Sequence, residues 1–210
     1  MAEQGRLVKS GRSYRLVARA AAMDRTHDRI TRAAIELHGT VGPAATNMSA
    51  VAERAGVTRA TLYRHFPTEE ALFTACSSHW LAANPHPEFG KWAAIADPVR
   101  RLRMGLDELY RYYRATEPMR ANLLRDLAYL PAPIRSGIVA LPSAAAAALD
   151  SGWPEDSAAP LRRPAIGHAV AFETWRSLAA QSLSNQDAVE LMVRLVTCVE
   201  CAELTDTEAG

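Results

Sequence analysis

The sequence predicts an all-α protein, and three observations carry that prediction. Apolar residues recur at i, i+3, i+4 and i+7, the spacing of one helix face. No stretch alternates apolar and polar long enough to form a strand. Gly and Pro fall where the apolar stripes stop. About nine helices are expected in 210 residues, and 49% hydrophobic with 22% charged residues excludes disorder, collagen and coiled-coil rods.

Residues 1–23 hold five basic side chains and one acid, with no apolar period before Leu16. They read either as a basic flexible arm or as an extension upstream of an ordered protein that begins near Met23. From Asp24, Ile30, Ala33, Ala34 and Leu37 form a stripe that Gly39, Gly42 and Pro43 end. Thr46-Asn47 caps a second, short helix with Met48, Val51, Ala52 and Ala55 on one face. Gly56-Val57-Thr58 breaks it and starts a third helix, which turns Leu62 and Phe66 inward. These three helices occupy 24–66. A connecting helix over 67–84 opens at Pro67, with Thr68 as cap and Glu69 and Glu70 in its positive first turn. Pro85 and Pro87 end it.

A second domain, 85–210, continues in helices. One opens at Asp97-Pro98 and turns Leu102, Leu106, Leu109 and Tyr113 to one side. Another opens at Glu117-Pro118 and runs to Leu130. A third covers 134–149, interrupted at Pro142. Residues 150–164 read as a long Ser/Pro/Gly loop, followed by helices over 164–183 and 185–203.

Charge is unevenly placed. Residues 1–66 hold eleven basic and five acidic side chains, a net +6, against thirteen and eighteen, a net −5, in the remainder. A basic head on an acidic body predicts a polyanionic partner at one end. No catalytic, phosphate-binding or dinucleotide motif occurs, so neither an enzyme nor a cofactor is indicated. The six His residues lack metal spacing. Cys198 and Cys201 have no second pair or nearby His, and read as two thiols buried on one helix rather than as a zinc site. No run of 18 apolar residues is found, so no membrane partner is expected, and three unpaired-looking cysteines point to the cytoplasm.

Residues 48–66 have the spacing of a helix-turn-helix. Ala52 is small enough for two helices to cross, and Gly56, four residues later, permits a sharp turn at positive φ. Val51, Ala55, Val57 and Leu62 close a small core. Thr58 caps the second helix, whose first turn would enter a major groove.

Residues 24–72 resemble the DNA-binding domain of TetR-family transcriptional regulators. The resemblance is carried by Arg29-Ile30 through Leu37, by Gly42 and Thr46, by Ala52-Glu53-Arg54-Ala55-Gly56-Val57 and by Thr61-Leu62-Tyr63-Arg64-His65-Phe66. It implies that Thr46 contacts a phosphate. Thr58, Arg59, Ala60 and Thr61 would face base edges, Arg59 by binding guanine O6 and N7. Tyr63 and His65 would reach phosphates, although the Tyr63 ring also suits packing. Arg64 would face the DNA backbone or pair with a nearby acid. The family favours Lys where this chain has Glu69, and Phe where it has His38.

The resemblance further implies a helical ligand-binding and dimerisation body. Most aromatic residues there read as plain core, with Tyr110, Tyr113, Tyr129 and Phe172 as the expected wall of an effector cavity. Ile166, Val170, Trp175, Leu178, Ala188, Leu191, Met192, Leu195, Val196 and Val199 offer apolar surface for a homodimer. The function implied is a repressor that binds a palindromic double-stranded DNA operator as a dimer. A small lipophilic effector would release it. The alternative is a ligand-binding helical dimer with a degenerate head, which Glu69 favours. The basic arm would compensate by tracking DNA.

Overall fold

The computed structural model describes residues 3–198, with side chains from residue 17 onward. Among these residues are ten α-helices, two single 3-10 turns and no strand. The helices are α1 (Glu3–Thr40), α2 (Met48–Arg54), α3 (Arg59–His65), α4 (Glu69–Ala83) and α5 (Phe89–Ala93). They continue as α6 (Pro98–Arg125), α7 (Ala132–Asp150), α8 (Ala159–Ala169), α9 (Phe172–Ala180) and α10 (Asn185–Cys198).

Helix α1 differs from expectation at its start. The backbone expected as an arm over 1–23 is helical from Glu3 and continuous with the first helix. Between Gly11 and Gly39 there is neither Gly nor Pro, and Ala, Arg and Leu are strong helix formers, so nothing breaks the helix near Met23. The side chains of Arg6, Lys9, Arg12 and Arg15 lie outside the described residues.

The chain divides into two compact units, Met1–Asn84 with Ala121–Ile134, and Pro85–Arg120 with Arg135–Gly210. The body expected as one run from residue 85 is therefore interrupted, because Ala121–Ile134 belongs with the head.

In the first unit Ile30, Ala34, Val51, Ala52, Leu62, Phe66, Leu72 and Cys76 form one buried core, which places the connecting helix α4 within the head. The last turn of α6 is stitched to the segment after α1. Asn122 Nδ2 donates to the His38 carbonyl (3.0 Å) and Arg125 Nη2 to the Val41 carbonyl (2.9 Å). Asp126 Oδ2 accepts from the Ala44 amide (3.0 Å), and the Arg125 guanidinium with that amide holds the Asp126 carboxyl below its ordinary pKa. His38, where an aromatic residue was expected, lies buried and stacked on Phe73 with centroids 4.6 Å apart.

In the second unit α6 supplies the core. Leu102, Leu106, Leu109, Tyr110 and Tyr113 are all fully buried. Pro118, expected to open a new helix, sits inside α6. An interior proline costs about 3 kcal/mol. Beyond it the helix buries Met119 and brings Asn122 to the His38 carbonyl, contacts that a break at Pro118 would forfeit. Pro142 is carried inside α7 likewise. The loop expected over 150–164 ends early, because Asp156 Oδ1 accepts from the amides of Ala158 and Ala159 (both 3.1 Å) and starts α8. The helix expected from 164 to 183 is instead broken after Ala169. There the Tyr110 and Tyr113 hydroxyls donate to the carbonyls of Ala169 (2.8 Å) and Val170 (2.7 Å), satisfying backbone acceptors that a continuing helix would have used.

Helix α7, 19 residues with a mean hydropathy of 1.3, is long and apolar enough by length and composition alone to cross a membrane. Leu141, Ala145 and Leu149 are buried in the fold. Cys198 is exposed rather than buried, because it follows Leu191 and Leu195 on the outer side of α10. Cys201 and Val199 lie outside the described residues.

Burial holds the pKa of His38 down from 6.5 to about 4. The unfolded chain therefore binds a proton that the folded head excludes, and stability falls as pH drops from 6.5 toward 4. The loss from this residue between pH 7 and pH 5 is about 2 kcal/mol at 1.36 kcal/mol per unit. Denaturant unfolding of His38→Phe at both pH values should show that part of the loss removed.

Candidate nucleic-acid interface

Helix α2 begins because Asn47, rather than Thr46, caps it. Asn47 Oδ1 accepts from the amides of Ser49 (3.0 Å) and Ala50 (2.9 Å). Thr46 uses both its donors internally, its amide on the Pro43 carbonyl (3.0 Å) and its hydroxyl on the Gly42 carbonyl (2.8 Å). Its expected phosphate contact therefore has no free donor in this conformation.

The turn after α2 is closed by Gly56 N to Glu53 O (3.0 Å) and Val57 N to Ala52 O (2.9 Å), with Gly56 at φ +62. Thr58 Oγ1 then accepts from the Thr61 amide (3.2 Å) and caps α3. The hydroxyl of Thr58 also donates to that of Thr61 (3.0 Å).

Spacing along α3 separates its two sides. Leu62 and Phe66 are buried in the head core, while Thr58, Arg59, Ala60, Tyr63 and Arg64 are exposed and Thr61 and His65 half-buried. The Arg59 guanidinium lies 5.9 Å from the Tyr63 ring centroid, and Tyr63 remains 41% exposed. This stacking holds the arginine extended along the outer face. Arg54 is tied to Glu36 through its Nε (2.8 Å), so its charge is committed to α1. Arg59 and Arg64 make no ion pair among the described residues. His65 is kept below its ordinary pKa, first by burial and then by the charges of Arg64 and His27. It stands as a neutral hydrogen-bonding group beside the Arg64 guanidinium. All eight residues expected at the interface thus lie in one stretch of 46–65, with Thr46 turned to an internal role.

Glu69, exposed at the start of α4, shares with Thr46, His38 and Met48 a cleft of roughly 20 Å³, about one water. A carboxylate stands at the margin of the basic face.

The four residues expected to line an effector cavity separate. Tyr110, Tyr113 and Phe172 cluster, with Phe172 edge-on to Tyr113 at 5.3 Å. Tyr129 lies in the other unit, 70% exposed on the 3-10 turn after α6. The two buried tyrosines are anchored by their hydroxyls to the end of α8, and burial pushes the Tyr113 hydroxyl up to about 12. Sequence reasoning missed Asn122, Arg125 and Asp126. Their partners lie more than 80 positions away, and no local pattern marks them.

An all-α chain with a two-helix reading unit turned on a positive-φ glycine, and an outer face of unpaired arginines, is a helix-turn-helix DNA-binding protein. Residues 30–76 match the family described as bacterial regulatory proteins, tetR family. An uncharacterized HTH-type transcriptional regulator of Mycobacterium tuberculosis is 30% identical over 136 residues, covering 65% of this chain and 67% of that protein. Among solved structures, a TetR-like transcriptional regulator from Rhodococcus sp. RHA1 superposes with a TM-score of 0.60 at 18% identity, covering 85% of this chain and 97% of that one. FadR from Bacillus subtilis, in complex with stearoyl-CoA, gives a TM-score of 0.53 at 17% identity over 81% and 96% of the two chains. The chain belongs to the TetR family of transcriptional regulators.

The exposed positions of α3 divide by role. Arg59→Ala should cost about 1–3 kcal/mol and relax preference at one base pair. Arg64→Ala should weaken binding to every sequence and reduce the salt slope by about one. Titration of matched and scrambled duplexes across a salt series separates the two.

Proposed function

We propose that the protein is a repressor that binds a palindromic operator as a homodimer in the cytoplasm and is released by a small apolar effector held in the body. The observation that carries this reading is the outer face of α3, where Thr58, Arg59 and Thr61 stand at the helix start with Tyr63, Arg64 and His65 behind them. Two such faces set one helical turn apart, about 34–36 Å, would read successive major grooves.

Exposed apolar side chains support a dimer. Leu161 on α8 is 51% exposed, and Leu191 and Leu195 on α10 are 38% and 52% exposed. This set is smaller than expected, because Ile166, Val170 and Trp175 are buried within the single chain. A two-fold partner would cover the three leucines. The aromatic cluster of α6 and α9 supports an apolar effector. A structural neighbour carrying stearoyl-CoA makes acyl compounds the first class to screen. The chain passes between its units at Asn84–Pro85, Arg120–Ala121 and Ile134–Arg135, so a shift in the body has three covalent routes to the head.

Glu69 favours the second reading, a dimer whose head no longer reads specific DNA. Gel-shift against the protein's own promoter region decides between them. Sequence-specific, competition-resistant retention supports the repressor. Uniform, salt-labile binding supports the degenerate head. Glu69→Lys should tighten operator binding on the order of tenfold, about 1.4 kcal/mol. In sedimentation velocity at micromolar concentration, the native chain should run as a dimer and Leu191→Glu with Leu195→Glu as a monomer.

A further inference from the structure

Three arginines of the body unit are buried, and two of them have carbonyl or carboxylate acceptors. Arg101 donates from Nε to the Ile95 carbonyl (2.9 Å) and from Nη1 to Ser151 Oγ (3.2 Å). Arg162 Nη1 is paired with Asp156 Oδ1 at 3.0 Å. Arg120, 7% exposed, is different. Its Nε and Nη2 are buried with no hydrogen-bond partner, and it makes no ion pair among the described residues. A guanidinium cannot lose its charge to relieve this, and an uncompensated buried cation is strongly unfavourable.

The chemistry around Arg120 narrows what would satisfy it. The guanidinium carbon lies 4.9 Å from the Tyr113 ring centroid and 5.5 Å from that of Phe172, so aromatic faces hold it in place. Away from the Nε–Nη2 edge the guanidinium is hydrogen-bonded to the Tyr112 side chain, and its charge also reaches His86, whose pKa is lowered first by burial and then by Arg120. His86 meets Tyr112 edge-on at 5.3 Å and is exposed, so this side of the cluster borders solvent.

The two unpartnered nitrogens share one edge of the guanidinium. That edge is a two-pronged donor with the spacing of a carboxylate's oxygens. This protein fills the same edge three times elsewhere. Arg103 binds Glu190 through Nε (2.6 Å) and Nη2 (3.4 Å), Arg125 binds Asp126 through Nε (2.8 Å) and Nη2 (2.9 Å), and Arg54 binds Glu36 through Nε and Nη2. At Arg120 the fork is present and the carboxylate is missing.

We infer that Arg120 is the anchor for the carboxylate of an apolar or aromatic monocarboxylic acid, with Tyr113 and Phe172 against its apolar part and the His86–Tyr112 side as its approach. This rests on the reading of the body as an effector sensor and names the effector's chemical class.

The test is thermal unfolding of the full chain with sodium octanoate and sodium phenylacetate, each against its alcohol, 1-octanol and 2-phenylethanol, at matched ionic strength. At ten times its Kd, at least one carboxylate should raise Tm by about 3–6 °C, and its alcohol should give less than half that shift. Arg120→Met should unfold at the native temperature or above it, because an unpaired buried charge has been removed, and should lose the carboxylate response. Arg120→Lys, which keeps the charge but not the fork, should retain only a minor part of the response and serves where the Met variant does not fold. Equal shifts by acid and alcohol, no shift by either acid, or a native response in both variants would overturn the inference. A fall in the ligand-free Tm of Arg120→Met would do the same, since it marks a purely structural arginine. None of these readouts involves DNA. A protein that binds octanoate through Arg120 yet keeps its operator retains this site and loses the sensor reading, whereas release by an uncharged ligand in Arg120→Met does the reverse.

Discussion

The backbone passes through Gly56 at φ +62, and nothing lies within 4 Å of where a Cβ would stand. The demand at this position is therefore torsional and not steric, and an L-residue held there loses roughly 1–2 kcal/mol. Every feature of the DNA-facing side depends on that torsion. It returns the Val57 amide to the Ala52 carbonyl, delivers Thr58 to the start of α3, and sets the rotation that buries Leu62 and Phe66. With those two side chains inward, Arg59, Tyr63 and Arg64 have only the outer face to occupy. Gly42 is a different case. It too has positive φ, but a Cβ there would meet the side chains of Arg125 and Asp126, so that glycine also makes room for the stitch from α6.

That stitch gives α6 a second role. The helix supplies the core of the body through its first five turns, and its last turn bonds the carbonyls of His38 and Val41 and, through Asp126, the amide of Ala44. Arg120 in one unit and Asn122 in the other are two residues apart on one continuous helix. A rotation or shift of α6 at Arg120 cannot leave the hydrogen bonds of Asn122 and Arg125 unaffected, because a helix backbone is stiff over half a turn. These bonds end on the segment that leads into α2. On the proposed reading, α6 would be a second link beside the expected one through α4.

The head was far more legible in the sequence than the body, and the reason is physical. Its signals are local: Thr58 three residues before the amide it caps, Gly56 at a tight turn, and Leu62 and Phe66 one turn apart. In the body the decisive partners are distant. Pro118 reads as a helix start by every local rule, and only the contacts of Met119 and Asn122 beyond it show what the unbroken helix achieves. The Tyr110 and Tyr113 hydroxyls suggested a ligand wall, but they satisfy carbonyls 59 and 57 positions away, where α8 ends. Tyr129 was chosen by residue type, and type alone says nothing about which unit a side chain joins. Val57 was assigned to the small core and is only partly buried, since the turn leaves it at the margin.

Net charge was the weakest of these guides, because it counts charges that the fold has already committed. The head's +6 includes Arg54, which is bound to Glu36, and four basic side chains of the first sixteen residues that lie outside the described part. On α3 itself the unpaired cations among the described residues are Arg59 and Arg64. Two cations give a modest counterion release. On the proposed reading, recognition rests more on positioned donors, the hydroxyls of Thr61 and Tyr63 and the neutral His65, than on bulk attraction. Neutral donors discriminate by geometry and lose little in salt. A head built this way favours selectivity over strength.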